Sequence, residues 1–126
     1  MITYAGLDHV QVAAPSGCEA AARAFYGEAL GLPEVAKPAE MARRGGCWFQ
    51  CGAQQIHVGV EIDFTPAKKA HPALRLADAV SYAALVARLA DRGVAVKHDG
   101  EMEPEVKRLF ATDPWGNRVE LLCKVD

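Results

Sequence analysis

The chain has 126 residues, a formal net charge of −2 at pH 7 and a hydrophobic fraction of 51%. This length suffices for one domain with a buried core and is too short for two ordinary ones. The balanced charge argues against nucleic acid or an anionic membrane surface as a partner. The first residues show no signal peptide pattern, and no apolar run is long enough to span a membrane. We therefore expect a cytoplasmic protein with four reduced cysteine thiols.

The start of the chain predicts a strand followed by a helix. Valine-rich residues 6–13 are typical of a strand, which should end before Pro15. Ser16 and Glu19 have the spacing of a capping box, in which Ser16 is the N-cap and Glu19 reaches back to it. The alanine-rich helix that follows should end at Gly31, because glycine readily adopts the left-handed conformation of a helix C-terminus.

The remaining elements follow from alternating apolar residues and from glycine, proline, asparagine and aspartate at turns. In chain order we expect a loop through Pro33 and Pro38, a hairpin of 46–51 and 54–61 turning at 52–53, a linker at 63–69, a strand at 71–76, a helix from Asp78 to Gly93, a strand at 94–97, and a hairpin of 106–111 and 117–124 around a structural turn at 113–117. The second half thus repeats the order of the first.

Four polar residues occupy equivalent places in this repeat. His9 and His71 lie in the first strands of the two halves, and His57 and Glu120 lie in the last strands. The spacing from His9 to His71 differs by one residue from that between His57 and Glu120. Glu120 stands in an apolar strand, where an unpaired carboxylate is rarely tolerated. These residues predict a metal site, whereas His98, which has no equivalent, is expected at the surface.

Other residues on the same strand faces are candidates for substrate contacts. Alternation puts Gln11 on the face of His9, and it puts Arg75 and Arg118 on the faces of His71 and Glu120. Either arginine could hold a carboxylate or phosphate. Alternatively, both pair with surface acids such as Glu61.

Aromatic residues near the strand ends have two interpretations. Most of them are expected to pack in the core or at its rim. Trp48 and Phe110 are our candidates for the wall of an apolar substrate pocket.

Several segments resemble the vicinal oxygen chelate superfamily, which includes glyoxalase I, extradiol dioxygenases, and fosfomycin- and bleomycin-resistance proteins. The matching segments are Leu7-Asp8-His9-Val10, Ala24-Phe25-Tyr26 with Leu30-Gly31-Leu32, His71-Pro72-Ala73-Leu74, and the run from Asp113 to Leu121. The resemblance implies an α+β fold, in which two βαβββ modules form a curled, cup-shaped mixed sheet flanked by helices. It also implies a single glyoxalase-like domain, with modules at about 1–62 and 70–126 joined by the linker at about 63–69.

The same resemblance implies the chemistry of the polar residues. The family pattern makes His9, His57, His71 and Glu120 ligands of one divalent ion, and imidazole with carboxylate suits Zn²⁺, Ni²⁺, Co²⁺, Fe²⁺ or Mn²⁺. Glu120 and His57 would be the catalytic groups. Fold analogy further implies a homodimer, in which one site combines His9 and His57 of one subunit with His71 and Glu120 of the other.

The reaction remains open between three alternatives. Our leading interpretation is a metal-dependent lyase or isomerase of glyoxalase type, although glyoxalase I carries a carboxylate or glutamine where this chain has His57. The second is an Fe²⁺ extradiol-type dioxygenase, with His57 as its acid–base group. The third is a metal-free binding protein of the bleomycin-resistance type, against which the four polar residues argue. Gln11 counts against a fosfomycin thiol transferase, which usually has threonine there.

Overall fold

The computed structural model describes residues 1–99 and 103–125, and within them the chain forms two four-stranded sheets. The first sheet has strands β1 His9–Ala14, β2 Glu34–Val35, β3 Cys47–Cys51 and β4 Gln54–Val60. The second has strands β5 Ala73–Arg75, β6 Val96–His98, β7 Val106–Thr112 and β8 Arg118–Lys124. The helices are α1 Glu19–Ala22, which continues as a π-helix over Arg23–Ala29, α2 Ala39–Ala42 and α3 Ala79–Asp91. The expected α+β fold is confirmed.

The two sheets have the same topology. Their strand orders are β1-β4-β3-β2 and β5-β8-β7-β6, and in each the first strand is parallel to the last. The register agrees as well. Gln11, two residues after His9, lies opposite His57, and Ala73, two residues after His71, lies opposite Glu120. His57 and Glu120 are therefore structurally equivalent, as the sequence repeat predicts.

Each sheet has one face packed against helices and one face that is more open. Along β1, Val12 and Ala14 are buried while His9 and Gln11 are exposed, which confirms the predicted alternation. One apolar cluster spans both halves of the chain. Its largest fully buried side chains are Tyr26, Phe49, Leu89, Leu109 and Leu121. The polar candidates consequently lie on the faces that this core does not cover.

The predicted capping box is wrong. The first helix begins at Glu19 with Cys18 as its N-cap, and no side chain caps it. Glu19 instead accepts a 2.6 Å hydrogen bond from the backbone N–H of Gly46, directly before β3. A tertiary contact has thus replaced the local one. The predicted end of the helix is confirmed, because Gly31 has a φ of 79° directly after its last residues.

The second helix begins and ends as the sequence predicts. Asp78 is the N-cap of α3, and its carboxylate accepts a 2.7 Å hydrogen bond from the backbone N–H of Ser81. The chain leaves the helix at Gly93, whose φ is 67°. Other boundaries differ from prediction: β1 begins at His9 rather than at residue 6, and His71 precedes β5 rather than opening it. The loop through Pro33 and Pro38 contains β2 and α2, neither of which was expected.

A buried hydrogen-bond network joins the two halves at the turn between β7 and β8. Tyr26 Oη donates to Asp113 Oδ2 at 2.8 Å, and the backbone N–H groups of Trp115 and Asn117 donate to Asp113 Oδ1. Asn117 Nδ2 donates both to Asp113 Oδ2 and to the carbonyl of Ala13. Asp113 and Asn117 are both buried. The structural role predicted for this turn is confirmed.

Two further expectations concern thiols and membranes. The four cysteines are free, in agreement with the prediction of reduced thiols: Cys18, Cys47, Cys51 and Cys123. In the part of the chain that the structure describes, no helix combines the length and apolar character needed to cross a bilayer.

Candidate functional site

Three rings stack on the open face of the first sheet. The Trp48 and His57 rings are nearly parallel, with centroids 4.0 Å apart, and the His57 and His9 centroids are 4.1 Å apart. The strand register explains the stack, because Trp48 lies opposite His57 across β3 and β4 and His9 lies diagonally across β1 and β4. The imidazole of His57 is thereby held between two flat groups.

A chain of glutamine amides defines the tautomer of His57. Gln50 Nε2 donates to the carbonyls of Gly52 and Gln54, so its Oε1 faces Gln55 and accepts from Gln55 Nε2 at 3.3 Å. The oxygen of Gln55 then lies 2.9 Å from His57 Nε2, which must donate to it. His57 therefore carries its proton on Nε2 and has a lone pair on Nδ1.

Burial shapes the acid–base properties of His57. The residue is 5% exposed, and desolvation lowers the pKa of its imidazole, with His9 and Lys37 acting in the same direction and Asp8 opposing them.

His9 is more accessible, with 44% of its side chain exposed, and its Nδ1 lies 2.8 Å from the carboxylate of Asp8. In a neutral His9 whose Nδ1 donates to that carboxylate, Nε2 is the nitrogen with the lone pair.

The second sheet brings His71 and Glu120 together at the equivalent position. His71 Nε2 lies 3.0 Å from Glu120 Oε1, and His71 Nδ1 lies 2.8 Å from the carbonyl oxygen of Lys69. A carbonyl can only accept, so Nδ1 carries a proton. In a neutral His71, Nε2 would then be a second acceptor facing the carboxylate. This geometry requires a proton or a cation between Nε2 and Oε1.

Arg108 is a member of this site that the sequence analysis missed. Its Nε donates to Glu120 Oε2 at 2.8 Å, and its Nη2 donates to Glu103 at 2.9 Å. Burial alone would raise the pKa of Glu120, but the hydrogen bonds from His71 and Arg108 outweigh burial and lower it. Glu120 is thus a carboxylate at neutral pH. Arg108 lies two residues from Phe110 on β7, so strand alternation places both on the same face, and this was the sequence signal that could have identified Arg108.

The four candidate ligands form two pairs rather than one cluster. Across residues 1–99 and 103–125, no three His, Cys, Asp or Glu side chains come together as ion ligands would. The pairs are nevertheless linked through cavities. His9 and His71 both line one cavity of about 590 Å³, and Gln11 lines both a cavity of about 420 Å³ with His57 and one of about 400 Å³ with His71. His98 is exposed, as expected.

The predicted substrate residues fall into different environments. Phe110 lies opposite Glu120 as Trp48 lies opposite His57, and its ring meets that of His71 edge-on with centroids 5.4 Å apart. Gln11 lies flat over Gly59, whose Cβ, if it existed, would be 2.7 Å from the Gln11 amide.

The two arginine candidates also differ in their environments. Arg118 covers the ring of Phe110, with its guanidinium carbon 4.5 Å from the centroid. Arg75 is exposed and lines the cavity that His9 and His71 share. The alternative pairing with Glu61 is not seen for either arginine within the described residues.

The 420 Å³ cavity beside the ring stack has a wall that the sequence analysis did not predict. Lys37, Met41 and Arg44 line it together with Trp48 and His57. These three residues belong to the segment around α2, for which only a loop was expected. No pattern in that segment indicated which of its side chains would turn toward the strands.

The chain matches one family of known proteins over most of its length. The family model described as Glyoxalase/Bleomycin resistance protein/Dioxygenase superfamily matches residues 6–121. None of the curated proteins that were compared matches the chain.

Solved structures agree with that family match. A Bacillus anthracis protein described as a glyoxalase family protein is 49% identical, with a TM-score of 0.90 and coverage of 98% of this chain and 99% of its own. A glyoxalase/dioxygenase from Nostoc punctiforme is 20% identical, with a TM-score of 0.79 and coverage of 97% and 92%. A lactoylglutathione lyase from Agrobacterium tumefaciens is also 20% identical, with a TM-score of 0.72 and coverage of 95% and 94%. At 20% identity, the last two establish likeness of fold alone.

Proposed function

The chain belongs to the glyoxalase/bleomycin resistance protein/dioxygenase superfamily, and from that premise we propose that it is a metal-dependent enzyme. The reaction proposed is that of a lyase or isomerase of glyoxalase type, acting on a substrate with two adjacent oxygens. The observation that carries the proposal is the His71–Glu120 pair. His71 Nε2 and Glu120 Oε1 lie 3.0 Å apart, as two ligands of one cation would, and a bound ion would replace the proton that this contact otherwise needs.

The hydrogen bonds around the candidate ligands fit a transition metal. Metal-binding histidines generally donate their second ring N–H to a carbonyl or carboxylate, which fixes the tautomer and orients the ring. His71 does so to Lys69, and His9 does so to Asp8. The donor set of imidazole nitrogens with one carboxylate suits Zn²⁺, Ni²⁺, Co²⁺, Fe²⁺ or Mn²⁺ rather than Mg²⁺ or Ca²⁺. We therefore assign His9, His71 and Glu120 as ligands.

The separation of the pairs supports a site shared between two copies of the chain. In this proposal His9 of one copy and His71 with Glu120 of a second copy hold the same ion. The N-terminal segment offers apolar surface for such an association, because Ile2, Tyr4 and Leu7 are all more than 70% exposed.

In the proposed reaction His57 moves the proton. A bound divalent ion would act as a Lewis acid toward the two substrate oxygens. His57 is neutral near pH 7 because burial lowers its pKa, and its Nδ1 lone pair can accept a proton from carbon beside a carbonyl. Returning that proton to the neighbouring carbon completes an isomerisation without any oxidant or reductant. Glu120 is a weaker base, since Arg108 and His71 stabilise its charged form.

Metal binding tests the proposal directly. The protein would be loaded with Zn²⁺, Ni²⁺, Co²⁺, Fe²⁺ or Mn²⁺ in turn, desalted and analysed for bound metal. We expect stoichiometric metal in the wild type, its loss in a His71→Ala, Glu120→Ala double variant, and its retention in the control His98→Ala. Circular dichroism would show that the double variant remains folded. Absence of metal under every loading condition would refute the proposal and favour the metal-free binding alternative.

Mixed dimers test the shared site. Single variants His9→Ala and His71→Ala should each lose metal when pure. If sites lie between copies, a mixed dimer keeps one intact site that contains His9 from one chain and His71 from the other. Unfolding and refolding the two variants together should then restore metal to mixed dimers. No recovery after verified mixing would contradict the shared site.

The role of His57 is separable from that of the ligands. We expect His57→Gln to keep its metal while kcat on active hemithioacetal substrates falls by at least ~100-fold, the usual scale for removing a general base. Loss of metal in this variant would instead make His57 a ligand. The two-histidine, one-carboxylate set also suits an Fe²⁺ dioxygenase. Catechol turnover with oxygen uptake, in place of hemithioacetal isomerisation, would select that second candidate.

A further inference from the structure

Arg118 differs from Arg108, which lies on the same face of the second sheet. Arg108 uses its guanidinium on two carboxylates, those of Glu120 and Glu103. Arg118 makes no ion pair with any carboxylate in residues 1–99 and 103–125, and its guanidinium lies over the Phe110 ring instead. A guanidinium stacked on an aromatic ring still has its N–H groups available at its edge.

The position of Arg118 is rigidly defined. It follows Asn117 directly, at the end of the turn that the buried carboxylate of Asp113 organises. Across the hairpin it pairs with Thr112. A side chain that is already oriented before binding loses little conformational entropy when a ligand arrives. Arg118 is therefore preorganised in a way that an exposed surface arginine is not.

Arg118 also connects two cavities. It lines a cavity of about 530 Å³ together with Phe110 and Lys97, and one of about 400 Å³ together with His71. Each cavity also contains one acid that does not contact Arg118, Asp99 in the first and Glu61 in the second. Lys97 offsets Asp99 in the first cavity, which leaves Arg118 beside Glu61 in the second. A monoanion therefore suits Arg118 better than a dianion, whose second negative charge would face Glu61.

From this arrangement we propose that Arg118 and Phe110 form a carboxylate-binding subsite beside the His71–Glu120 pair. The subsite deepens the proposed function and rests on it for where the reacting oxygens lie. Arg118 and Glu120 are two residues apart on one face of β8, which corresponds to roughly 7 Å. The substrate class is accordingly a small acid whose carboxylate lies about 7 Å from its two adjacent oxygens.

Binding of benzoate to the metal-free protein tests the subsite independently of any reaction. Benzoate supplies a carboxylate on a flat apolar ring, and benzamide is its uncharged match. We expect NMR titration to show benzoate binding with shifts centred on Arg118 and Phe110, and no comparable binding of benzamide. The phenylphosphonate dianion should bind no more tightly than benzoate.

Variants identify the residue responsible. Arg118→Gln should weaken benzoate binding by on the order of tenfold to a hundredfold, the range for loss of a charge-assisted hydrogen bond. Arg118→Lys should recover only part of this, because lysine keeps the charge but not the planar fork or the stacking. The control Arg92→Gln removes an equal charge from the helical surface, where Arg92 pairs with Glu28, and should bind benzoate normally.

Several results would overturn the subsite. They are no benzoate binding to the wild type, equal binding by Arg118→Gln, equal binding of benzamide, tighter binding of phenylphosphonate, or loss of binding in Arg75→Gln but not in Arg118→Gln. Metal content separates this proposal from the previous one. Arg118→Gln should hold as much metal as the wild type, so a wild type without metal that still binds benzoate through Arg118 would refute only the enzymatic proposal.

Discussion

The two modules share one backbone plan and present opposite chemistry on it. In the first, the aromatic Trp48 lies beside His57, a buried neutral imidazole stacked between rings. In the second, the aromatic Phe110 lies beside Glu120, a carboxylate that contacts a histidine and an arginine. The aromatic positions are equivalent by register, as are the polar ones. The duplicated scaffold therefore determines where functional groups stand, and single side chains determine their charge.

The two modules also differ at the position two residues before each of these aromatic residues. Two residues before Phe110 stands Arg108, which faces Leu122 across the hairpin. Two residues before Trp48 stands Gly46, directly ahead of the Cys47–Val58 pair and so facing Gly59. Gly46 lies against the carbonyl of Val58, and Gly59 makes room for the Gln11 amide beside the 420 Å³ cavity. In the second module Arg108 takes the position of Gly46 and stabilises the charge of Glu120.

One fold thus holds a neutral imidazole and a charged carboxylate at equivalent positions. Burial favours the neutral form of an imidazole, whereas a partly buried carboxylate needs cationic hydrogen-bond donors to remain charged. Each module satisfies one of these requirements. Substitutions at the positions where the modules diverge should therefore affect one module without the other.

The largest expected effect is that of Gly46→Ala. Gly46 has a φ of 86°, and an added Cβ would lie only 2.0 Å from the carbonyl oxygen of Val58. Backbone strain and overpacking together should lower the free energy of unfolding by about 3 kcal/mol, measured by urea titration. The matched control is Gly52→Ala, with a φ of 58° and no atom within 4 Å, which should lose about 1 kcal/mol. Equal losses would show that close approach in the first module is unimportant.

An intermediate effect is expected for Arg108→Met. Removing the guanidinium leaves the partly buried Glu120 with one donor fewer, so the pKa of its carboxyl should rise in the metal-free protein. Carboxyl NMR as a function of pH measures this. The variant should also be less stable than Arg92→Met, which removes an exposed ion pair with Glu28. An unchanged Glu120 pKa would contradict the role given to Arg108.

The smallest effect is expected for Glu19, whose carboxylate binds the backbone of Gly46 in the first module. The hydrogen bond from the Gly46 backbone lowers the pKa of Glu19 in the folded protein. Its stabilisation is therefore fully present above the ordinary glutamate pKa and is lost as the pH falls through the lowered folded value. At neutral pH, Glu19→Gln should lower the free energy of unfolding by about 1 kcal/mol, and the difference from wild type should vanish in acid.

Urea unfolding across the acid range checks the Glu19 prediction. The exposed Glu40→Gln variant of α2 is the control and should follow the wild type at every pH. A Glu19→Gln difference that persisted unchanged into acid would show that the carboxylate charge is not what stabilises the turn.

Much of the site was accessible from sequence because strand alternation is simple. A residue two positions from His9 or Glu120 shares its face, so Gln11 and Arg118 were assigned correctly to the open faces. The repeat predicted that His57 and Glu120 would be equivalent, and the register agrees. Arg108 could have been found by the same parity argument, applied to β7 from Phe110.

Other features had no local signal. Glu19 had the spacing of a capping box, yet its carboxylate binds Gly46, which is far away in sequence, because the fold brings β3 to the helix N-terminus. Lys37, Met41 and Arg44 line a cavity because they lie in or beside the short helix α2, which no hydrophobic periodicity predicted. Secondary-structure propensity reflects only residues close together along the chain, so it cannot predict contacts of this kind.

The sequence by itself determined the repeated order of strands and helices, the faces of the strands and the residue types that can bind a metal, because these depend on short periodicities and turn residues. Only the tertiary structure decided that the four candidates stand as two pairs, that His57 carries its proton on Nε2 and that Arg108 stabilises Glu120 as a carboxylate. Tautomers and pKa values depend on partners brought close by the sheet register. The partners of Glu120 lie on other strands or beyond them, where local patterns carry no information. The partner of His57 is Gln55, only two residues away, but the orientation of its amide depends on Gln50 across the hairpin.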